Sequence, residues 1–361
     1  MLSPRPRKVM IPRLLHVGED CLGDVGPLLG SHAFDTSCVL VGSGPGPSRA
    51  LAERVVGGLR AHGIHVLYRP DLEGLLCQAA ATAAQIIEEE VTVAVAVGGG
   101  RVIDTVKLAA ARSSIDFVSV PTTVSNDGIS SPIASLRGKD GRRASHVAGM
   151  PAGIIVDVEI IGSAPAGTIR AGVGDLVSNL TAVLDWRLAE REGQERYDAF
   201  PAMISEAAAR PALDLPDLGS LSSREVIANG LLLSGLAMAA AGTSRPCSGA
   251  EHLISHSLDA MLGENAGLHG HQVALGCLVS AAAHESPLLE VLQRLFCRLG
   301  LPTAPGDLGL SPGLLAEAIR RAPAARPERY TVLSQLGREI PDAEELIRRA
   351  CWASSQVPAA S

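Results

Sequence analysis

The segment 93–107 constrains the fold of this chain most strongly. It reads Val-Ala-Val-Ala-Val-Gly-Gly-Gly-Arg-Val-Ile-Asp-Thr-Val-Lys, an apolar run that ends in three glycines and continues with helical spacing. This pattern predicts a buried parallel strand, a tight turn and the first turns of a helix. Without Cβ atoms, the three glycines let an anionic group approach the helix start, where free N–H groups favour negative charge. The segment is therefore either a phosphate-binding turn or a purely structural one.

Strand-like and helix-like segments alternate through the first half of the chain. The strand-like segments are residues 12–18, 36–42, 64–69, 91–97, 117–121 and 154–157, and the helix-like ones are 47–62, 72–90 and 102–112. Such an order predicts a mostly parallel sheet covered by helices. Segments 42–46, 98–100 and 121–123 follow three of these strands, at the edge where parallel sheets bind ligands.

After residue 157 the strand pattern stops, and long Ala/Leu-rich helical segments follow. A chain of 361 residues also exceeds the usual length of one domain. We therefore expect an α/β domain with a mostly parallel sheet over residues 1–162 and an all-α domain over residues 163–361. Loops are expected at 210–222 and 306–312, and a frayed end from residue 357.

Composition narrows the class of partner. A net charge of −7 and only nine aromatic residues argue against a nucleic-acid surface. The seven cysteines contain no Cys-x-x-Cys pair, which argues against a disulfide framework or a thiolate zinc site. We see no apolar stretch of about 18 to 20 residues that would span a membrane, and no signal core after the basic N-terminus. A cytoplasmic protein with a small-molecule partner is expected.

Four of the ten histidines fall at positions 252, 256, 269 and 271. On a helix, His252 and His256 would share one face. Together with Asp175, two imidazoles would give the ligand set of a catalytic Zn²⁺ or Fe²⁺ site. The alternatives are hydrogen-bonded histidines on a helix surface, and Asp175 as the N-cap of a helix over 176–189.

The segment 120–132 reads Val-Pro-Thr-Thr-Val-Ser-Asn-Asp-Gly-Ile-Ser-Ser-Pro and leaves a predicted strand. Its hydroxyls and Asp127 offer hydrogen-bond partners to a ribose or a polyol. Segments of this composition are also common as plain turns.

Taken together and in order, these motifs resemble those of the sn-glycerol-1-phosphate dehydrogenase family. That family belongs to the iron-containing alcohol dehydrogenase, glycerol dehydrogenase and dehydroquinate synthase superfamily. The resemblance rests on segments 97–104, 120–132, 172–179, 248–256 and 269–273. It implies a dehydroquinate synthase-like fold, with a nucleotide-binding domain, a helical domain and a metal in the cleft between them.

The resemblance also implies roles for individual residues. Those implied to contact NAD(P) are Gly98, Gly99, Gly100, Arg101, Val102, Thr122, Thr123, Ser125 and Ser131. Asp175, His252 and His269 would hold a divalent metal, usually Zn²⁺, with Ni²⁺ or Fe²⁺ as alternatives. Asp127, Asp175 and His256 would contact the substrate, and Asp175 and His256 would be the catalytic residues. The family commonly has Glu where this chain has His271, so His271 is a second candidate ligand.

The implied reaction is the NAD(P)-dependent interconversion of dihydroxyacetone phosphate and sn-glycerol 1-phosphate, by a homo-oligomer. His256, titrating near pH 7, would relay the hydroxyl proton. A glycerol-dehydrogenase-like polyol oxidoreductase, a dehydroquinate-synthase-like cyclase and a non-catalytic nucleotide-binding scaffold are the alternatives. The choice between NAD and NADP stays open, since Asp71 suits a ribose hydroxyl and Arg69 a 2′-phosphate. Segment 191–223 matches no motif and is a candidate for substrate selection.

Overall fold

A computed structural model of the chain describes residues 9–337 and 343–351. The basic N-terminus and the tail from residue 357 lie outside this part. Its strands are β1 (Leu14–Gly18), β2 (Cys38–Ser43), β3 (His65–Arg69), β4 (Val93–Gly98), β5 (Asp116–Pro121), β6 (Ile133–Arg137), β7 (Arg143–Val147) and β8 (Gly153–Asp157). The predicted strands are confirmed to within a few residues at their ends. The antiparallel hairpin of β6 and β7 was not predicted.

Fourteen α-helices are found in the described residues. They are α1 (Val25–Ser31), α2 (Pro47–Ala61), α3 (Leu76–Glu88), α4 (Gly100–Ser113), α5 (Val158–Ser163), α6 (Ala166–Arg191), α7 (Ala199–Ala209), α8 (Leu221–Ala241), α9 (Ala250–Leu262), α10 (His269–Ala283), α11 (Leu288–Leu299), α12 (Pro312–Ala325), α13 (Val332–Leu336) and α14 (Ala343–Ala350). Helix α3 begins at Leu76 instead of residue 72, because Asp71 and Gly74 have positive φ angles. Short 3₁₀ turns occupy parts of the two predicted loops, at Arg210–Asp214 and Pro305–Leu308.

Six strands form one parallel sheet in the order β1-β8-β5-β4-β2-β3. From β2 the chain moves outward to β3, whereas from β4 it moves the other way to β5. The carboxyl ends of β2 and β4 therefore flank the point where the strand order reverses, which is where open α/β sheets bind ligands. In the strand register, Ser43 lies opposite Val97 and Gly98 opposite Pro121, so the three expected loops leave the same edge.

Burial on both faces explains the apolar run of β4. Val93, Val95 and Val97 pack with α2 residues in one core cluster. Ala94 and Ala96 point to the opposite face, where α4 packs, and both are fully buried. A strand covered on both sides has no polar positions, and the helix-strand alternation therefore predicts this part of the fold well.

Two compact units divide the chain. The first contains residues up to Thr123, Gly128–Ile161 and Gly235–Thr243, and it includes the sheet. The second contains Val124–Asp127, Gly162–Ser234 and the residues from Ser244 onward, and it is helical. Each unit takes in short segments from the other half of the chain, and the boundary at residue 162 stays a prediction.

Within the helical unit, α6 is the central element. Its 26 residues are buried on nearly every side, and α10, α9 and α7 pack against it. Helix α8 is long and apolar enough to satisfy a length-and-composition test for a membrane span. However, 56% of its most apolar window is buried inside the structure, as in a core helix of a globular protein.

A buried ion pair joins α4 to the polar segment that follows β5. Lys107 is 1% exposed, and its Nζ donates to Asp104 Oδ1 at 3.0 Å and to the carbonyls of Gly128 and Ile133 at 2.8 Å each. The other carboxylate oxygen, Asp104 Oδ2, accepts from the N–H of Ser135 at 2.9 Å. Lys107 therefore fixes the course of residues 128–135 in the sheet unit.

Replacing Lys107 with Met should destabilise the protein by about 3–5 kcal/mol, because it leaves the buried carboxylate of Asp104 without its cation. The measurement is urea denaturation followed by circular dichroism. Arg112→Met, at an exposed position of the same helix, is the matched control and should change the midpoint little. Equal midpoints for the two variants would contradict a stabilising role for the pair.

Candidate active site

Three predicted metal ligands come together in the helical unit. One ligand atom each from Asp175, His252 and His269 lies within 4.8 Å of the other two. Asp175 Oδ1 is 3.5 Å from the Nε2 atoms of both histidines. This oxygen is buried and has no hydrogen-bond partner among the described residues, whereas buried polar atoms nearly always have one. A carboxylate and two imidazoles directed at one point form a donor set that fits a divalent cation.

Asp175 reaches this point from the interior of α6. The helix begins at Ala166, so Asp175 is not an N-cap and that alternative is wrong. The backbones of α6 and α10 touch beside it: a Cβ on Gly174 would lie 2.3 Å from the carbonyl oxygen of Gly270. Similarly, a Cβ on Gly172 would lie 1.8 Å from the carbonyl oxygen of Val124. The glycines of Gly-Val-Gly-Asp thus bring Asp175 close to its neighbours.

Several donors keep Asp175 ionised. Its Oδ2 accepts from the N–H of Asp127 at 2.8 Å. Burial raises the pKa of Asp175, but His252, His269 and this N–H outweigh burial, so the pKa lies below its usual value. An ionised carboxylate is the form that binds a cation.

Glu251 orients the first imidazole. His252 Nδ1 lies 3.1 Å from Glu251 Oε1 and donates to it, which turns Nε2 toward Asp175. Burial lowers the pKa of His252, but Asp175 and Glu251 outweigh it and raise the pKa to about 9. Thr181 donates to the second oxygen of Glu251 at 2.9 Å. This negatively charged environment attracts positive charge to Nε2.

A hydrogen-bond chain orients the second imidazole. Gln272 Nε2 donates to the carbonyl of Ala266, so its Oε1 accepts the hydroxyl proton of Ser255 at 2.7 Å. Ser255 Oγ then accepts from His269 Nδ1, at 2.9 Å. The proton of a neutral His269 therefore sits on Nδ1, and the Nε2 lone pair is available to a metal.

Sequence reasoning assigned no role to Glu251, Ser255 or Gln272. Glu251 is adjacent to His252, and adjacent residues do not face each other on a helix in general. Ser255 and Gln272 come from α9 and α10, and the crossing of these helices brings them together. The tertiary contacts, and not the local spacing, identify these residues.

His256 lies beside the three ligands but outside the group. Its ring centroid is 6.3 Å from that of His269 and 6.5 Å from that of His252. Burial, the two imidazoles and the charges of Arg326 and Arg329 hold its pKa well below the usual value. The prediction that His256 titrates near pH 7 is therefore wrong: the imidazole is neutral there.

His271 does not join the ligand group. A Cβ on Gly167 would lie 3.8 Å from its ring. Burial and the charge of Arg170 lower its pKa. His269 is the residue of this pair that faces Asp175.

In the sheet unit, the three glycines form the turn between β4 and α4. Gly99 is the N-cap residue of α4, and no side chain within the described part of the chain caps this helix. A Cβ on Gly99 would lie 3.1 Å from Thr123 Oγ1, and the N–H of Thr122 donates to the carbonyl of Gly98 at 3.0 Å. A turn without Cβ atoms, next to helix N–H groups that no described side chain caps, fits a dinucleotide phosphate.

The remaining predicted dinucleotide contacts are distributed over both units. Arg101 is exposed at the start of α4, whereas Val102 is buried beneath Gly98. Ser131 is buried in the sheet unit and donates to the carbonyl of Ile133 at 3.2 Å. Ser125 belongs to the short segment Val124–Asp127 of the helical unit, as does Asp127.

The two candidates for cofactor discrimination both have protein partners. Arg69 Nη1 donates to Gln85 Oε1 at 2.8 Å, and Asp71 pairs with Arg49 at 3.4 Å.

Known proteins share this architecture. The family model of the iron-containing alcohol dehydrogenases matches residues 16–165. A probable glycerol dehydrogenase from Sinorhizobium meliloti superposes with a TM-score of 0.76 at 22% identity, covering 95% of this chain and 98% of that one. The fold is therefore that of the glycerol dehydrogenases and iron-containing alcohol dehydrogenases.

Two archaeal relatives show to which family of dehydrogenases the chain belongs. The glycerol-1-phosphate dehydrogenase [NAD(P)+] of Methanothermobacter thermautotrophicus is 35% identical, over 95% of this chain and 98% of its own length. The enzyme of the same name from Aeropyrum pernix is 36% identical, over 95% and 97%. The chain belongs to the glycerol-1-phosphate dehydrogenase family, which confirms the resemblance seen in its motifs.

The purified protein should bind about one divalent metal per chain, and His269→Ala should lose it, because this histidine is one of the three ligands that the described residues supply. Elemental analysis after dialysis against Zn²⁺ measures the stoichiometry. His271→Ala is the matched control, two residues away on the same helix, and should keep the metal. Loss of metal in the control but not in His269→Ala would contradict the ligand assignment.

Gly99→Val should weaken NADH and NADPH binding and leave metal content unchanged, because the new side chain occupies the turn next to Thr123. Isothermal titration calorimetry with each cofactor measures the affinity. Gly57→Val, at a glycine with open space around its Cβ position on α2, serves as the control. Unaltered cofactor affinity in Gly99→Val would mean that the glycines serve the turn alone.

Proposed function

We propose that this chain is an NAD(P)-dependent, metal-dependent oxidoreductase that interconverts dihydroxyacetone phosphate and sn-glycerol 1-phosphate. The observation that carries the proposal is the buried oxygen of Asp175, which has no hydrogen-bond partner and faces two imidazole nitrogens at 3.5 Å. The names of the archaeal relatives, which cover nearly the whole chain, support the choice of substrate and cofactor.

Two bound groups would supply the chemistry. A divalent cation held by Asp175, His252 and His269 supplies Lewis acidity, which lowers the pKa of an alcohol and polarises a ketone. NAD(P), with its phosphates at Gly98, Gly99 and Gly100, supplies the redox chemistry. The protein contributes positioning and electrostatics.

Residues that are hydrogen-bonded to the two histidine ligands orient the imidazoles and set their basicity. The carboxylate of Glu251 holds the Nδ1 proton of His252, and the Ser255 hydroxyl holds that of His269. Such partners fix the tautomer and make the opposite nitrogen a better donor. Glu251 is itself held by Thr181, so its carboxylate stays in place to accept the Nδ1 proton of His252.

Proton movement falls to His256. Its low pKa keeps a ring nitrogen unprotonated at neutral pH, ready to accept the proton of a substrate hydroxyl and to return it in the reverse direction. Asp127, whose N–H binds Asp175, lies at the same site and is our candidate for contacting a second substrate hydroxyl.

One other reaction and one non-catalytic role fit the same fold. A cyclase of the dehydroquinate synthase kind would regenerate its cofactor, so net consumption of NAD(P)H separates it from a dehydrogenase. A non-catalytic scaffold would not need the hydrogen bonds that orient His252 and His269. We also propose a homo-oligomeric state and a cytoplasmic location, as expected from the sequence and its resemblance.

Dihydroxyacetone phosphate should be reduced with a kcat/KM at least about 100-fold above that of dihydroxyacetone, because a site built for the phosphate is left with unpaired polar groups when it is missing. Oxidation of NADH and NADPH, followed by absorbance, measures both. The product should be the sn-1 enantiomer, which an enantiospecific assay identifies. A preference for dihydroxyacetone would instead favour a glycerol-dehydrogenase-like activity.

A further inference from the structure

Three guanidinium groups belong to residues that lie near Ser244, just before α9 in the helical unit. Arg245 is fully buried, Arg329 is 8% exposed, and Arg326 is partly exposed. Arg329 donates to the carbonyl of Ser248 at 2.6 Å and to Ser244 Oγ at 3.1 Å. Arg326 reaches the same hydroxyl of Ser244 at 3.5 Å. Helix α12, which ends at Ala325 just before Arg326, packs against α9.

Nearby carboxylates are already engaged by other groups. Glu195 pairs with Arg245 Nε at 2.8 Å, and Glu251 binds His252. Asp185 accepts from His284 at 2.9 Å and from the N–H of Val332 at 2.7 Å.

Arg326 and Arg329 therefore lack a counter-ion. In the described part of the chain, neither has a carboxylate within the 4.0 Å of an ion pair. Burial and the charges of Arg326 and Arg245 lower the pKa of Arg329 to about 10, and the group still stays charged at neutral pH. Concentrated positive charge without an anion is costly inside a protein, and it favours an anionic ligand.

The charge lies close to the candidate active site. Arg326 and Arg329 share the hydroxyl of Ser244, and Ser244 begins the short 3₁₀ turn Arg245–Cys247 that leads into α9. Arg329 also holds the carbonyl of Ser248, next to the start of α9, which carries Glu251 and His252. A ligand with an oxygen near the three metal ligands and a dianionic group at its other end would interact with both the metal site and the arginines.

We propose that Arg326 and Arg329 form the subsite for the phosphate of the substrate, with Arg326 as the residue that contacts it. The proposal rests on the proposed function for the choice of substrate, and it deepens that function by giving the selectivity for a phosphorylated ketone a structural basis. Guanidinium groups suit this task because their donors match phosphate oxygens in pairs. Arg329, held by Ser248 and Ser244, is mainly the positioning and electrostatic member of the pair.

The decisive variant is Arg326→Gln, assayed with both ketones and with inorganic phosphate as a probe. Its kcat/KM for dihydroxyacetone phosphate should fall about 10- to 100-fold, as expected for the loss of a charged hydrogen bond. Its kcat/KM for dihydroxyacetone should fall much less than that for dihydroxyacetone phosphate, because no phosphate is present to lose the contact. Arg326→Lys should recover part of the loss, since it keeps the charge.

A binding measurement that needs no turnover accompanies the kinetics. Calorimetric titration with inorganic phosphate, in the presence of saturating NADPH to occupy the glycine turn, should show about 10-fold weaker binding to Arg326→Gln. Arg321→Gln is the matched control, because Arg321 lies on α12, is exposed and pairs with Glu317 at 2.7 Å. This control should bind phosphate like the unmodified protein.

Different outcomes would overturn the proposed subsite and the proposed function. Equal losses with both ketones, or unchanged phosphate affinity in Arg326→Gln, would overturn the subsite. If the unmodified protein reduces neither ketone, the proposed function fails, and the phosphate titration still decides whether Arg326 binds the anion.

Discussion

The candidate metal site depends on the contact between the backbones of α6 and α10. Asp175 and His269 belong to these two helices, and their ligand atoms can lie 3.5 Å apart only where the helix axes come unusually close. Gly174 and Gly270 permit this approach, because any Cβ there would overlap the facing main chain. Gly276 plays the same part between α10 and α9, where a Cβ would lie 2.7 Å from the carbonyl oxygen of Glu251. These glycines therefore determine how closely the three metal ligands can approach one another.

Burial gives this site its electrostatic character. Asp175, Glu251 and His252 are all buried, so their charges act on one another with little screening by water. Two carboxylates and one imidazole would leave an excess of negative charge, and a divalent cation would offset it. Burial and the two neighbouring imidazoles, together with the charges of Arg326 and Arg329, keep the imidazole of His256 neutral. The helical unit thus holds both the candidate cation site and the proposed phosphate subsite next to α9.

Sequence reasoning predicted the parts of the structure that follow from local pattern. The apolar run at 93–97 with its three glycines gave the strand, the turn and the helix, because a strand buried on both faces and a glycine turn both leave a direct mark on the sequence. The same reasoning placed Asp175 wrongly at a helix start: the glycines before it resemble a loop, and their role in helix packing appears only when α10 is present. Lys107 was likewise unremarkable in the sequence, since its partners at 128 and 133 are brought to it by the fold.

The proposed phosphate subsite shows why the motifs did not indicate which residues would bind the phosphate of the substrate. Few basic residues lie near the motifs, whereas Arg326 and Arg329 lie far along the chain after α12. The unmatched segment 191–223 contributes through Glu195, which neutralises Arg245 and so leaves the other two guanidinium groups as the uncompensated charge. Substrate selection in this view does not need a residue of that segment in contact with the ligand. It needs Glu195 to pair with Arg245, so that Arg326 and Arg329 remain without a carboxylate partner among the described residues. Their positive charge then favours a phosphorylated ketone over a neutral one.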